Sequence, residues 1–244
     1  MKEQQLFGIR PVMEAVEAGK PVDKVFIKKG IEGVNARELM DLLRKHKIPY
    51  LFVPLEKLNR ITRKNHQGVI AMMTPVETSP LEALIPELFE KGQVPLLIVL
   101  DGVTDVRNFG AIARSAECLG AHALVIPYRG SAPLSADAIK TSAGALMRVP
   151  VCKVENLSKA LSFISESGIR LVGFSEKGRK TIAESDLGSP TALVMGSEED
   201  GIAGENIKLL DELVRIPMSG ETASLNVSVS AGIALYEAYR QREL

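Results

Sequence analysis

The chain lacks the features that announce several common protein classes. Among its 244 residues only Cys118 and Cys152 are cysteines, with no Cys-x-x-Cys spacing. A disulfide framework or a thiolate zinc site is therefore not expected, and a reducing cytoplasm fits. The longest apolar run, Leu96 to Leu100 with its flanks, falls far short of the roughly 20 residues that span a bilayer. The opening MKEQQLFGIR is polar, so neither a secretory leader nor a membrane partner is expected. No Gly-x-Gly-x-x-Gly follows a strand pattern, and neither a phosphate-binding Gly-x-x-x-x-Gly-Lys-Ser/Thr nor a Gly-x-Ser-x-Gly elbow occurs. Dinucleotide, P-loop and hydrolase readings lose their main support.

Net charge is also missing: 30 Lys and Arg balance 30 Asp and Glu. The distribution is uneven, because residues 1 to 73 hold 14 basic against 8 acidic side chains and the remainder is acidic by the same margin. A basic front half suits a polyanionic partner. Taken alone, so small a surplus is equally an ordinary solvated surface.

What is present is an alternation of strand and helix patterns. Lys24 to Lys28, Tyr50 to Val53 and Val69 to Met73 read as strands, with a helix over Ala36 to Lys47 and a short one over Pro54 to Ile61. Residues 74 to 95, rich in Pro, Glu and Thr, read as a domain boundary carrying a connecting helix. Five apolar runs follow, at Leu96 to Leu100, Ala123 to Ile126, Arg170 to Phe174, Ala192 to Met195 and Leu213 to Ile216. Runs apolar on both faces and separated by helical patterns predict a parallel sheet covered on both sides. A final helix is expected over Leu225 to Arg240, with Val229, Ile233, Leu235 and Tyr236 on its apolar face.

Ligands of parallel α/β domains sit at the carboxyl ends of the strands, which directs attention to three loops. After the first run, Asn108 suits a helix cap, with Gly110 and Arg114 one turn apart on one face. A glycine inside a helix costs about 1 kcal/mol, so close approach of another group beside Arg114 is one reading; a solvated arginine on an ordinary helix is the other. After the fourth run, Gly196, Gly201 and Gly204 surround Glu198, Glu199 and Asp200, and Glu198 is the candidate while its two neighbours read as solvated turn residues. After the fifth, Ser224 suits a cap and Asn226 an exposed first turn, ahead of a helix whose small residues allow tight packing.

In order along the chain, Asn108-Phe-Gly110-Ala-Ile-Ala-Arg114, Gly196-Ser-Glu198-Glu-Asp-Gly201-Ile, and Ile216-Pro-Met218 with Ser224-Leu-Asn226-Val-Ser resemble the three signature motifs of the SpoU/TrmH RNA 2′-O-ribose methyltransferases. The front segment, with Phe7-Gly8-Ile9 and His66-Gln67-Gly68-Val69, is similar to the ribosomal-protein-like RNA-binding extension of that family. The resemblance implies a SPOUT α/β fold with a deep C-terminal trefoil knot. It implies an RNA-binding domain over residues 1–75, a linker over 76–95 and the methyltransferase domain over 96–244.

It further implies S-adenosylmethionine as cofactor and an obligate homodimer joined through the knotted domain; no metal is expected, since the two cysteines lack ligand spacing. Ser142, Gly144, Gly196, Gly201, Ile216, Met218 and Leu225 would then contact the cofactor. Asn108, Arg114, Glu198 and Asn226 would carry catalysis, and the resemblance makes Arg114 the usual candidate for the base that takes the 2′-hydroxyl proton. Because a guanidinium stays protonated, Arg114 is read here as a phosphate clamp and alkoxide stabiliser, with Asn108, Glu198 and Asn226 orienting it or the ribose. The implied substrate is structured RNA, a guanosine ribose of 23S ribosomal RNA in the first place and transfer RNA in the second. A non-catalytic RNA-binding protein or a small-molecule methyltransferase are the readings from other classes. The first has no need of the three motifs together, and the second none of the front domain.

Overall fold

A computed structural model describes residues 5–46, 48–74, 76–222 and 224–243. The chain divides into two compact units, Met1–Glu77 with Leu134–Ala136, and Thr78–Pro133 with Asp137–Leu244.

The first unit runs β1 (Gln5–Phe7), α1 (Ile9–Glu17), β2 (Val22–Lys28), α2 (Val34–Lys45), β3 (Tyr50–Val53), α3 (Leu55–Ile61) and β4 (Val69–Met73). Its sheet has the order β1-β4-β2-β3, with β4 antiparallel to both neighbours and β3 parallel to β2. Side chains alternate across a strand, and β2 uses both faces. Val25 and Ile27 pack with Val12, Val16, Leu39 and Leu43 of α1 and α2, whereas Phe26 packs with Leu58 of α3. The helix expected to end at Lys47 is seen as Val34–Lys45; Lys47 itself and the boundary position Pro75 lie outside the described residues.

The second unit contains α4 (Leu81–Glu90), β5 (Leu96–Leu100), α5 (Val106–Cys118), β6 (Ala123–Pro127), α6 (Ala136–Thr141), β7 (Val151–Val154), α7 (Leu157–Glu166), β8 (Arg170–Phe174), β9 (Lys180–Thr181), β10 (Thr191–Met195), α8 (Gly204–Ile207), β11 (Glu212–Arg215) and α9 (Val227–Glu243). Seven strands form a sheet of order β7-β6-β5-β10-β8-β11-β9, parallel at every pairing. Every residue of β5 and β10 is buried, as a sheet covered on both faces requires.

On one face Leu97, Val99, Ala192 and Val194 pack against Leu81, Ile85 and Leu88 of α4 and Leu161 and Ile164 of α7. Truncating one of these, for example Leu97→Ala, costs about 2–5 kcal/mol. The connecting helix within residues 76–95 therefore belongs to the core of the second unit, because its leucines find their burial there. The other face carries α5 and α9, packed on each other.

Two helix starts differ from expectation. Asp105, not Asn108, caps α5: its carboxylate accepts from the N–H groups of Arg107 and Asn108. Asn226, not Ser224, caps α9, its Oδ1 accepting from the N–H groups of Ser228 at 2.9 Å and Val229 at 3.4 Å. In α9 the buried side is Ala231, Ala234, Leu235 and Ala238, while Val229 and Tyr236 are 49% and 54% exposed. Small residues set that face, because α9 lies against α5 near Ser115 at Gly232.

The end of α9 is fastened to the segments that lead into β5 and β10. Arg242 donates from Nη1 to the carbonyl of Val94 at 2.7 Å and from Nη2 to those of Pro95 at 3.1 Å and Ser189 at 2.7 Å. Among the described residues no helix is long and apolar enough to cross a membrane.

Candidate active site

The sheet order reverses direction between β5 and β10, and the loops leaving the carboxyl ends of β8, β10 and β11 enclose a cavity of about 380 Å³. That is within the range of small-ligand sites and where a doubly wound sheet places one. Six residues singled out in the sequence line it: Gly196, Glu198, Gly201, Ile216, Met218 and Leu225. The 174–177 stretch after β8 lines it as well and was missed. Its only signal was position, directly following an apolar run.

Loop 196–201 is a closed turn. Ser197 N–H donates to the Gly201 carbonyl at 3.0 Å, Gly201 N–H donates back to the Ser197 carbonyl at 3.1 Å, and Asp200 N–H donates to Ser197 Oγ at 3.0 Å. A Cβ on Gly196 would overlap the backbone of Gly201 and Ile202, so glycine is required by this closure. Gly201 sits at φ 69°, in the left-handed region that glycine enters without strain.

Asp101, at the end of β5, anchors the far side of the loop and was also missed. Its Oδ2 accepts from Ala203 N–H and Asn206 Nδ2, both at 2.8 Å, and Ser158 Oγ of α7 donates to Asn206 Oδ1 at 2.7 Å. Asn206 is only 2% exposed, so these bonds satisfy an amide that could not be left unpaired without a cost of about 1–3 kcal/mol.

The three motifs meet at Asn226. Its Nδ2 donates to Asn108 Oδ1 at 3.1 Å and, through a shorter bond, to Glu198 Oε1, while its Oδ1 caps α9. One amide thus ties the helix after β5, the loop after β10 and the start of the last helix. Around the cavity, Glu176, Glu198, Glu199 and Asp200 outweigh Lys177, which gives the site a negative potential suited to a cationic ligand.

Arg114 does not join this group. It is exposed on α5, about 9 Å along the axis from Asn108 and on a different side of the helix. It has no hydrogen bond or ion pair among the described residues. What approaches Gly110 is Thr141, whose side chain occupies the place of the missing Cβ and whose hydroxyl donates to the carbonyls of Asp137 at 2.8 Å and Ala138 at 3.1 Å.

Ser142 and Gly144 lie beyond it in the turn after α6 and do not line the cavity. Ser142 is fully buried, with its hydroxyl donating to the Ile139 carbonyl at 2.9 Å, and Gly144 turns the chain at φ 83°.

A parallel doubly wound sheet with a ligand cavity at the carboxyl ends of its strands, and three loops converging on one amide, is an arrangement suited to a cofactor-dependent α/β enzyme. Comparison with known proteins makes this specific. Residues 95–236 match the SpoU rRNA methylase family, and residues 5–79 match the RNA 2′-O ribose methyltransferase substrate-binding family. The chain is 34% identical over 237 residues to a putative TrmH family tRNA/rRNA methyltransferase, YacO, of Bacillus subtilis, covering 97% of this chain and 95% of that one.

The SpoU methyltransferase AviRb of Streptomyces viridochromogenes, solved in complex with AdoMet, superimposes with a TM-score of 0.62 at 29% identity, covering 98% of this chain and 90% of that one. A TrmH/SpoU tRNA modifying enzyme of A. aeolicus is 32% identical with a TM-score of 0.57, covering 67% of this chain and 84% of that one. The chain belongs to the SpoU rRNA methylase family: it is an RNA methyltransferase with an N-terminal substrate-binding domain.

Proposed function

We propose that this protein methylates the 2′-oxygen of a guanosine ribose in 23S ribosomal RNA, using S-adenosylmethionine. The observation that carries the reading is the Asn108–Asn226–Glu198 bridge at the mouth of the cavity, which brings all three motifs to one point. The cavity fits the cofactor. Ile202, Leu213 and Ile216 offer an apolar wall for adenine, and the acidic side chains suit the positive sulfonium and ammonium groups. Bound there, S-adenosylmethionine supplies an electrophilic methyl group.

The chain's contribution is chiefly orientation, and a near-attack geometry is worth roughly 7–11 kcal/mol. Asn226 holds the carboxylate of Glu198 and the amide of Asn108 in one arrangement, and these orient the ribose. Arg114, unpaired among the described residues, is available to clamp the phosphate beside the target ribose and to stabilise the emerging alkoxide. Ser142 and Gly144 act one step removed, shaping the turn that packs on α5.

We assign RNA binding to residues 1–75 and catalysis to 96–244, the latter with its C-terminal segment threaded as a deep trefoil knot. The exposed Val229, Tyr236 and Tyr239 of α9 form the apolar face that a second copy covers in a homodimer. Transfer RNA is the second reading of substrate, favoured by the A. aeolicus neighbour that modifies tRNA.

Mapping 2′-O-methyl groups in RNA from cells with and without the protein tests the proposal. Loss at one guanosine of 23S ribosomal RNA is expected; loss confined to tRNA would move the substrate, and no change anywhere would end the reading. Arg114→Lys should lose most turnover and keep cofactor affinity. Removing residues 1 to 73 should abolish RNA binding, whereas a small-molecule methyltransferase would stay active.

A further inference from the structure

We infer that the first unit contains a built site for one unpaired nucleotide of the substrate strand, in a depression of about 470 Å³ between the turns 28–32 and 64–68. The inference rests on the RNA methyltransferase reading above, and goes beyond it in naming where and in what form the strand is held.

The depression has a rigid scaffold. His66 is 7% exposed, and both ring nitrogens are engaged. Gly68 N–H donates to Nδ1 at 3.0 Å, so Nε2 carries the proton and donates to Asn59 Oδ1 at 3.0 Å. Lys28 N–H donates to the Gly68 carbonyl at 2.8 Å, which ties the two turns together. Gln67 is held at φ 49°, uncommon for a residue with a side chain, and remains exposed. Such strain persists where the surroundings impose it and clusters at ligand contacts.

The lining suits a nucleotide better than a duplex. Ile31 and Leu55 supply an apolar floor, and Leu55 stays 39% exposed. The flat face of an extruded base would cover it, whereas in a duplex that face is stacked away. Asn65, Gln67 and the Glu32 carboxylate offer acceptors and donors for a base edge.

Lys28 and Lys64 stand beside the floor for the flanking phosphates, and the Lys64 ammonium is steadied 5.3 Å from the Phe7 ring centroid. The surrounding 54–68 stretch carries Lys57, Arg60, Arg63 and Lys64 against Glu56 alone, which gives the approach a positive field.

The test uses the full-length protein with a fluorescent RNA hairpin bearing an unpaired loop, and the blunt duplex of the same stem, titrated across a salt series. The Lys28→Ala/Lys64→Ala variant should bind the hairpin roughly tenfold more weakly, with the log–log salt slope shallower by about 1.4, and should bind the duplex as wild type does. Leu55→Ala should weaken hairpin binding without changing the slope. An unchanged thermal unfolding profile by scanning calorimetry verifies that each variant is folded.

Unchanged hairpin affinity in the double variant, or an equal loss for the duplex, overturns the site. A wild-type protein that binds the hairpin in this way and methylates no RNA would overturn the proposed function and leave the site standing.

Discussion

Asn226 offers the sharpest test of the site, because one side chain does two separable things. Its Oδ1 caps α9, and its Nδ2 bridges Asn108 and Glu198. Asn226→Ala removes both functions. Loss of a cap costs about 1 kcal/mol, which in a protein of this size lowers Tm by about 2–4 °C. Asn226→Ser keeps a capping oxygen of nearly equal quality but is too short to bridge, so its Tm should stay near that of wild type.

Turnover should fall in both variants, by about a hundredfold, the penalty for misplacing reacting groups by an ångström. Scanning calorimetry reads the first effect, and single-turnover transfer of a labelled methyl group to RNA reads the second. If Asn226→Ser kept wild-type turnover, the bridge would have no catalytic role. If both variants melted together well below wild type, the separation of cap from bridge would be wrong.

Gly196→Ala should abolish cofactor binding in calorimetry, since its Cβ would meet the backbone of Gly201 and Ile202 and force the turn open. Glu212 bonds Lys180 Nζ at 2.6 Å and accepts from Ser185 Oγ at 2.6 Å, and these contacts, with Arg170 nearby, hold its carboxyl below the usual range. The stability it contributes is present above the ordinary carboxylate pKa and lost as pH falls through the depressed one. Glu212→Gln should therefore be destabilised at pH 7 and converge with wild type in strong acid, as denaturant titrations would reveal.

Burial, with Arg242 nearby, pushes the His122 imidazole below its ordinary value, while its Nδ1 accepts from Leu96 N–H at 3.0 Å. Folding then favours the neutral ring, so the contribution is present above about pH 6.5 and is lost on acidification. His122→Asn should flatten the melting profile between pH 8 and 5; an unchanged profile would contradict this.

The central strands were legible because a parallel strand buried on both faces is an uninterrupted apolar run, as in Leu96–Leu100. Less legible were β1, β9 and β7. The first two have three and two residues, too few for a period to register, and β7 carries Lys153 among its apolar residues. Both misassigned caps arose where neighbouring polar residues were equally eligible, as Asp105 and Asn108 were, and only backbone geometry chooses between them.

In the site, Gly196 was readable since a close backbone approach leaves no other residue possible. Asp101 was not, because its partners Ala203 and Asn206 lie 102 and 105 residues away and an isolated aspartate after a strand carries no mark of them.

The Arg242 contacts bear on the order in which the protein comes into being. The arginine reaches carbonyls up to 148 residues upstream, and the amide bridge from Asn226 to Asn108 spans 118. Contacts of such separation form late, after the loop-closure entropy has been met. During synthesis the cavity has no complete wall until Ser230 has been added, so a chain broken off before α9 would carry the sheet without a complete cavity. A ligand held in that cavity binds the folded chain and not the unfolded one, and so stabilises by mass action the state in which α9 is docked.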